Sequence, residues 1–389
     1  MLIEGKTIAI VGGGPGGLTL ARLLQLKGAN VKVYERDVNK DVRVQGATLD
    51  LHHESGLKAL DAAGLMDAFK KNYRPGADKF CIVDHTAKVF FDEHAEPGDS
   101  PDFYSEHFRP EIDRGPLRNI LLESLQPGTV VWDSQFLSLS PEVKGWKLEF
   151  KNGTAAFADI VIGADGANSK IRPFITPIKA FYAGVTAVEG NVYDSENTTP
   201  KIHALLKGGK IFAFGGSKSL IVSSKGDGSL AFYASYKTAE NWISTNGIDF
   251  ADKAQVFNWF KKDFPEWTEL WHELFDNDKS YFYARQIHSM PLDQTWEALP
   301  NLTMLGDAAH LMPPFAGEGV NMAMLDALEL SECITSDKYA DVQQAIAAYE
   351  KQMRTRAAEA VKASLDNTEA LHAPDSLRFM TSMFSQQPE

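Results

Sequence analysis

Cysteine is nearly absent from this chain. Cys81 and Cys333 are the only two in 389 residues, and neither belongs to a CxxC spacing. A disulfide framework and a thiolate metal centre are therefore excluded, and both thiols are expected to be packing residues. Basic blocks are missing as well: 39 Lys and Arg stand against 52 Asp and Glu, for a net charge of −13. Nucleic-acid binding needs clustered cations, so that class of partner is set aside. No apolar run reaches the roughly 18 residues of a membrane-spanning helix. The first six residues lead straight into an apolar strand, which leaves no room for a secretory signal. His52, His53, His85 and His94 do not fall at metal-ligand spacings. The expectation is a reduced, cytoplasmic protein with no metal, membrane or nucleic acid.

Hydrophobic residues make up 44% of the chain, and its length allows two domains with a substantial core. Residues 7–11 (TIAIV) form a buried-type strand that runs into Gly12-Gly13-Gly14-Pro15-Gly16-Gly17. Helical periodicity follows over 18–24 until Gly28, and 31–35 (VKVYE) alternates like a strand ending on Glu35. Strand, GxGxxG (Gly12, Gly14, Gly17), helix, strand and acid complete a βαβ dinucleotide fingerprint. Gly12 permits the tight turn, Gly14 lets backbone approach a pyrophosphate, and Gly17 lets helix pack on strand. The helix N-terminus offers free N–H groups to that pyrophosphate, and Glu35 can accept from a ribose.

Further along, a helix is expected over about 54–70, followed by a polar stretch to residue 102. Glu111-Ile112-Asp113-Arg114-Gly115-Pro116-Leu117-Arg118 opens another helix, with Pro116 in its first turn. Arg114 and Arg118, four residues apart, face one way and suit either an anion or structural ion pairs. A buried-type strand over 159–163 ends in Asp165-Gly166, with Ser169 and Arg172 close behind. Alternating segments at 185–192, 210–214, 219–223 and 230–236 suit a mostly antiparallel second domain, interrupted by one aromatic-rich helix over 254–275. Near the end, an apolar strand enters Gly306-Asp307, a Pro-rich turn, and glycines that open an apolar helix from about Val320. A final helix over 342–371 would run about 45 Å and brace both domains.

Three motifs in this order, the fingerprint with Glu35, the strand ending Asp165-Gly166, and Gly306-Asp307, resemble the single-component (group A) flavoprotein aromatic hydroxylases. Within them the chain is most similar to the tetracycline-inactivating Tet(X)-type monooxygenases. The matching stretches are Gly46-Ala47-Thr48-Leu49-Asp50-Leu51-His52, Pro110-Glu111-Ile112-Asp113-Arg114, and the run from Gly306 to Gly317. The resemblance implies an α/β, p-hydroxybenzoate hydroxylase-like fold. It divides into a Rossmann-type FAD-binding domain (1–176 with 286–338), an antiparallel-sheet substrate domain (177–285), and a C-terminal bridging helix and tail (339–389).

It also implies FAD as cofactor, NADPH or NADH as transient electron donor, and dioxygen as co-substrate. Glu35, Asp50, Arg114 and Asp307 would contact FAD, as would Arg36 beside Glu35. Arg43 would sit where NADPH or the mobile flavin is handled, and Asp165 would serve both nucleotides. Pro314, Gly317, Gly319, Val320 and Asn321 would line the flavin ring. A flavin hydroperoxide would hydroxylate a polycyclic, phenolic or enolic substrate, tetracycline among the candidates, with no protein nucleophile. His310 is expected to be structural.

The chain departs from Tet(X)-type proteins where substrate should lie. Glu189 stands for a glutamine, Lys210 for an arginine, Ile221 for a phenylalanine, Ala231 for a histidine and Tyr233 for a glycine. With Phe315 these six form the candidate substrate set. Glu318 replaces a glutamine beside the flavin. An ionised carboxylate there would oppose an anionic reduced flavin unless it is salt-bridged or turned outward.

Overall fold

A computed structural model describes residues 2–42, 48–95 and 102–385. Five parallel strands form the first sheet, in the order Leu302–Met304, Ile160–Gly163, Thr7–Val11, Asn30–Tyr34 and Val130–Val131. Ile8, Ile10, Val33, Ile160 and Ile162 from this sheet lie in the main core. Near-continuous apolar strands are what a sheet covered on both faces demands. On one face lies the helix Pro15–Leu26, which buries Leu18, Leu20, Ala21 and Leu24. Pro15 suits its first turn because that position has no intrahelical use for an N–H. The α/β architecture is as expected from sequence.

The second layer is a seven-stranded sheet in the order Ser280–Ser289, Phe181–Val192, Leu230–Lys237, Lys218–Ser224, Lys210–Gly215, Phe80–Asp84, Val89–Asp92. Every pairing is antiparallel except Lys210–Gly215 with Phe80–Asp84. Two of its strands, Phe80–Asp84 and Val89–Asp92, lie in the polar stretch before residue 102. The apolar residues Cys81, Ile82 and Val83 fill only a short segment there, and polar residues on both sides mask its periodicity. The sheet therefore draws on chain outside 177–285, and its far edge runs on to Ser289.

Two expected helices are broken. The segment over 54–70 consists of a wide turn, His53–Leu57, then helices Lys58–Ala62 and Met66–Lys70, separated at Gly64 with φ +68°. The aromatic segment is helical only over Lys253–Asp263, and a 3-10 turn over Glu269–Leu274 follows. Pro265 cannot donate to the helix and forces Phe264 out of the helical region, to φ −120° and ψ 52°. The aromatic side chains still do one job: Trp259, Phe260, Phe264, Trp271 and Phe275 pack under one face of the sheet.

Helix Val342–Leu371 has the predicted limits. Asp341 caps it, accepting from Gln344 N at 2.9 Å. Ile346, Tyr349, Met353, Ala357, Val361 and Leu371 are buried along it at helical spacing. Tyr349 Oη donates to Met304 O of the parallel sheet at 3.1 Å. At the other end, the buried His372 Nε2 meets Ser235 Oγ at 2.8 Å and Ser219 Oγ at 3.3 Å, both on the antiparallel sheet. One helix thus touches both sheets, as bridging requires. No helix among the described residues is long and apolar enough to cross a membrane.

Candidate functional site

In register, Val11 pairs with Tyr34 and Gly163, and Gly163 pairs with Met304. Gly12, Glu35, Asp165 and Asp307 follow those four residues, so the motif residues emerge at one edge of the parallel sheet. The carboxyl edge of such a sheet is where open α/β folds take their ligands. Gly12 has φ +114°, and a Cβ on it would lie 2.2 Å from Ala164 O. A Cβ on Gly17 would lie 2.2 Å from Gly12 O, whereas one on Gly14 would meet nothing within 4 Å. The loop is thus packed where it turns and bare at Gly14, beside the amides that open helix Pro15–Leu26. Glu35 is buried at 3% exposure and accepts from Gly13 N at 2.6 Å and Asp37 N at 3.0 Å. Arg36 beside it is exposed. Arg43 lies outside the described residues.

Asp165 ties down its own loop, accepting from Ser169 Oγ and Lys170 N, each at 2.6 Å. The buried Arg172 then crosses to the Gly306-Asp307 turn and donates to Ala308 O and Asp307 O, both at 2.7 Å. Its role was not read from sequence; the only signal was its fixed offset from Asp165. The Asp307 carboxylate, unlike its backbone oxygen, accepts no hydrogen bond from a described residue. Burial pushes its carboxyl pKa above the usual range, against the pull of His310, Arg114 and Arg172. Of the two arginines four residues apart, Arg118 is structural. It pairs with Asp37 at 3.1 Å, donates to Lys40 O at 3.0 Å and lies over the Trp132 ring. His310 is buried at 1% exposure, with Nε2 2.6 Å from Asp326 Oδ2, and the same oxygen accepts from Gly306 N at 2.8 Å.

A second group of residues adjoins the first, for a Cβ on Gly319 would lie 3.9 Å from Asp307 Oδ1. Gly319 and Val320 open helix Gly319–Thr335. Asn321, fully buried, donates to Asp50 O at 2.9 Å and Gly317 O at 3.2 Å, and accepts from His52 N at 2.9 Å. Gly317 has φ +70°, and a Cβ there would lie 3.2 Å from both Asp50 carboxylate oxygens. The His52 ring sits between two carboxylates, Nε2 3.0 Å from Asp50 Oδ2 and Nδ1 3.4 Å from Glu318 Oε1. Burial pulls the pKa of His52 down, yet its bonds to Asp50 and Glu318 outweigh that and hold it up at about 9. Glu318 is therefore salt-bridged, one of the two arrangements its position called for.

The candidate substrate residues share one face of the antiparallel sheet. Glu189, Tyr233 and Ile221 form one cross-strand row, and Ala231 lies opposite Ser223, which pairs with Lys210 in the next row of the same face. Arg285 donates twice to Glu189 Oε2, at 3.2 and 2.9 Å. Lys210 forms an ion pair with the buried Glu111; burial raises the Asp50 carboxyl pKa, but the bond from His52 and then the Lys210 charge outweigh it and hold that pKa low. From the other side, Phe315 of the Pro314–Ala316 turn packs with Tyr233 against Val185, Ala187 and Ile287. Its ring also meets His372 edge-on, with centroids 5.1 Å apart.

The arrangement fits an adenine dinucleotide such as FAD. A bare glycine stands at a helix N-terminus, and a desolvated carboxylate with no bond from a described residue stands at a strand end. A second helix N-terminus points into the same region. Residues 6–214 and 271–364 match the family model described as FAD binding domain. The monooxygenase asqM of Emericella nidulans is 28% identical over 92% of this chain and 94% of its own length. Among solved structures, Klebsiella pneumoniae HpxO with FAD and uric acid has a TM-score of 0.76 at 19% identity, covering 99% of this chain and 94% of that one. The tetracycline destructase Tet(55) has a TM-score of 0.73 at 19% identity, covering 100% of this chain and 99% of that one. Those two likenesses are of fold. The family match covers most of the chain: it belongs to the FAD binding domain family and is an FAD-dependent monooxygenase.

Proposed function

We propose that this protein is an FAD- and NAD(P)H-dependent monooxygenase that hydroxylates a polycyclic, phenolic or enolic small molecule. When bound, FAD supplies the activation of dioxygen with electrons from NAD(P)H. Gly12, Gly14, Gly17, Glu35, Arg36, Asp50, Arg114, Asp165 and Asp307 hold the cofactor in this reading. Pro314, Gly317, Gly319, Val320 and Asn321 line its ring. A single glycine fingerprint occurs in the sequence, so the pyridine nucleotide visits rather than occupying its own Rossmann unit. The division into a discontinuous FAD domain, a substrate domain and a bridging helix, in a monomer, is part of the same proposal.

The observation that carries it is the packing of Phe315 and Tyr233 against the same small cluster, Val185, Ala187 and Ile287. It supports a ring-facing turn and a substrate-facing sheet meeting at one place. Glu189, Lys210, Ile221, Ala231 and Tyr233 then shape the substrate side, and none acts as nucleophile. Two of these positions carry ion pairs, Glu189 with Arg285 and Lys210 with Glu111, so the charged groups are partnered before substrate arrives. That favours a largely uncharged aromatic or enolic skeleton. Tetracycline is the first compound to test, since Tet(55) is a tetracycline destructase.

The experiment is NADPH and NADH oxidation by the FAD-loaded protein, with tetracycline and a panel of phenols and aromatic polyketides, followed by mass spectrometry. A product heavier by one oxygen supports the reading. Substrate-stimulated NAD(P)H consumption with a product of unchanged mass would make it a non-oxygenating oxidoreductase. Tight ligand binding with no consumption would make it a sequestering flavoprotein.

A further inference from the structure

We propose that His52 is a positioning residue that carries a positive charge between Asp50 and Glu318 and so sets the reduction potential of the bound FAD. The inference rests on the reading that Gly317 to Asn321 line the flavin ring. Its geometry is independent of that reading. Each ring nitrogen of His52 faces a different carboxylate, at 3.0 Å and 3.4 Å. Ionised carboxylates only accept, and a neutral imidazole has a single N–H, so two such partners require both nitrogens to be protonated. The elevated pKa, about 9, agrees. The ring is only 12% exposed, and its backbone N–H is fixed by Asn321 Oδ1.

Among the described residues, no other cation forms an ion pair with Asp50 or Glu318. Behind Asp50, Lys210 is paired with Glu111. On the opposite side, His52 and Glu318 open on a cavity of about 370 Å³ whose other charged or titratable lining groups are His53, Glu54, Glu106, Arg109 and Arg356. Arg356 is bound to Asp326 and Glu329. Among the described residues His52 is thus the cation in contact with both carboxylates, and with it the three groups sum to one negative charge rather than two. Reduction of FAD adds negative charge to the ring, so an uncovered second carboxylate beside Gly317 would oppose it.

The test uses the FAD-loaded protein and its His52→Asn, Glu318→Gln and double variants. Visible absorbance gives FAD per chain, and equilibration with a reference dye gives the reduction potential. His52→Asn is expected to shift the oxidised-to-reduced ratio about tenfold toward oxidised FAD at fixed dye ratio, for one charge at short range. Glu318→Gln should shift it toward reduced FAD, and the double variant should return close to the parent. In the cofactor-free protein, imidazole NMR should show His52 titrating near pH 9, and lower in Glu318→Gln.

Equal potentials in parent and His52→Asn, or shifts of the same sign in both single variants, would overturn the inference. So would a His52 resonance titrating at the ordinary imidazole value, which decides the matter even if His52→Asn does not fold. A parent protein that binds no FAD would instead overturn the cofactor reading beneath it.

Discussion

Arg285 donates both Nε–H and an Nη–H to a single oxygen of Glu189, at 3.2 and 2.9 Å. Glu189 is 5% exposed, while the Arg285 side chain is 63% exposed. The buried partner therefore depends on a cation that water also reaches. Arg285→Ala is expected to lower stability by about 1 kcal/mol, a charge-assisted bond discounted for that exposure. If Glu189 faces substrate, KM should rise about fivefold while kcat changes less. Thermal unfolding and steady-state kinetics measure the two effects; an unchanged KM would remove Glu189 and Arg285 from the substrate face.

Asp307→Ala should purify without FAD. The side chain has its desolvation cost in place and no donor among the described residues to offset it, so a ligand donor is what its position serves. The ratio of visible to ultraviolet absorbance reports occupancy directly. Should this variant come off the column yellow and fully loaded, the cofactor assignment at the strand end is wrong.

The three fingerprint glycines should separate into two kinds. Gly14→Ala has room for its methyl and normal backbone angles, so the apo-protein should keep its melting temperature while FAD affinity falls about tenfold or more. Gly17→Ala would push a methyl into Gly12 O and should lower the melting temperature itself. Calorimetry of the apo-proteins with FAD titration tells these outcomes apart.

Asp159 supplies a pH-dependent link between strands. It accepts from Thr7 N at 2.7 Å and Thr7 Oγ1 at 2.8 Å, and these bonds hold its pKa below the ordinary value despite partial burial. A depressed folded-state pKa means the contribution is present above the unfolded value, near pH 4, and is lost as pH falls through the folded one. Asp159→Asn should therefore be less stable than the parent by about 1 kcal/mol at neutral pH. The difference should close in acid, as urea denaturation at pH 7 and pH 3 would show.

Much of the parallel sheet could be read in advance because its signals are local. Strand, glycines, helix and acid follow within one stretch around Gly12, and the limits of helix Val342–Leu371 follow from its own periodicity. Strand Phe80–Asp84 escaped because its apolar centre is short, and it becomes a strand only by pairing with Lys210–Gly215, far away in sequence. The aromatic helix was overextended because its apolar spacing masked the stop at Pro265. Glu318 was singled out as a problem, but its solution lies in His52, which approaches only when the chain folds. Arg172 was likewise visible as a residue and invisible as a clamp on Asp307.

Helix Val342–Leu371 works as a ruler with a phase as well as a length. Tyr349 reads one sheet and His372, just past its end, reads the other. One residue inserted between them would advance the far end by about 1.5 Å and turn it by about 100°. His372 would then face away from Ser219 and Ser235, and the Phe315 ring would lose its edge contact. The spacing between the two sheets is in this sense counted in residues, and it tolerates substitution along the rod far better than a change in the count.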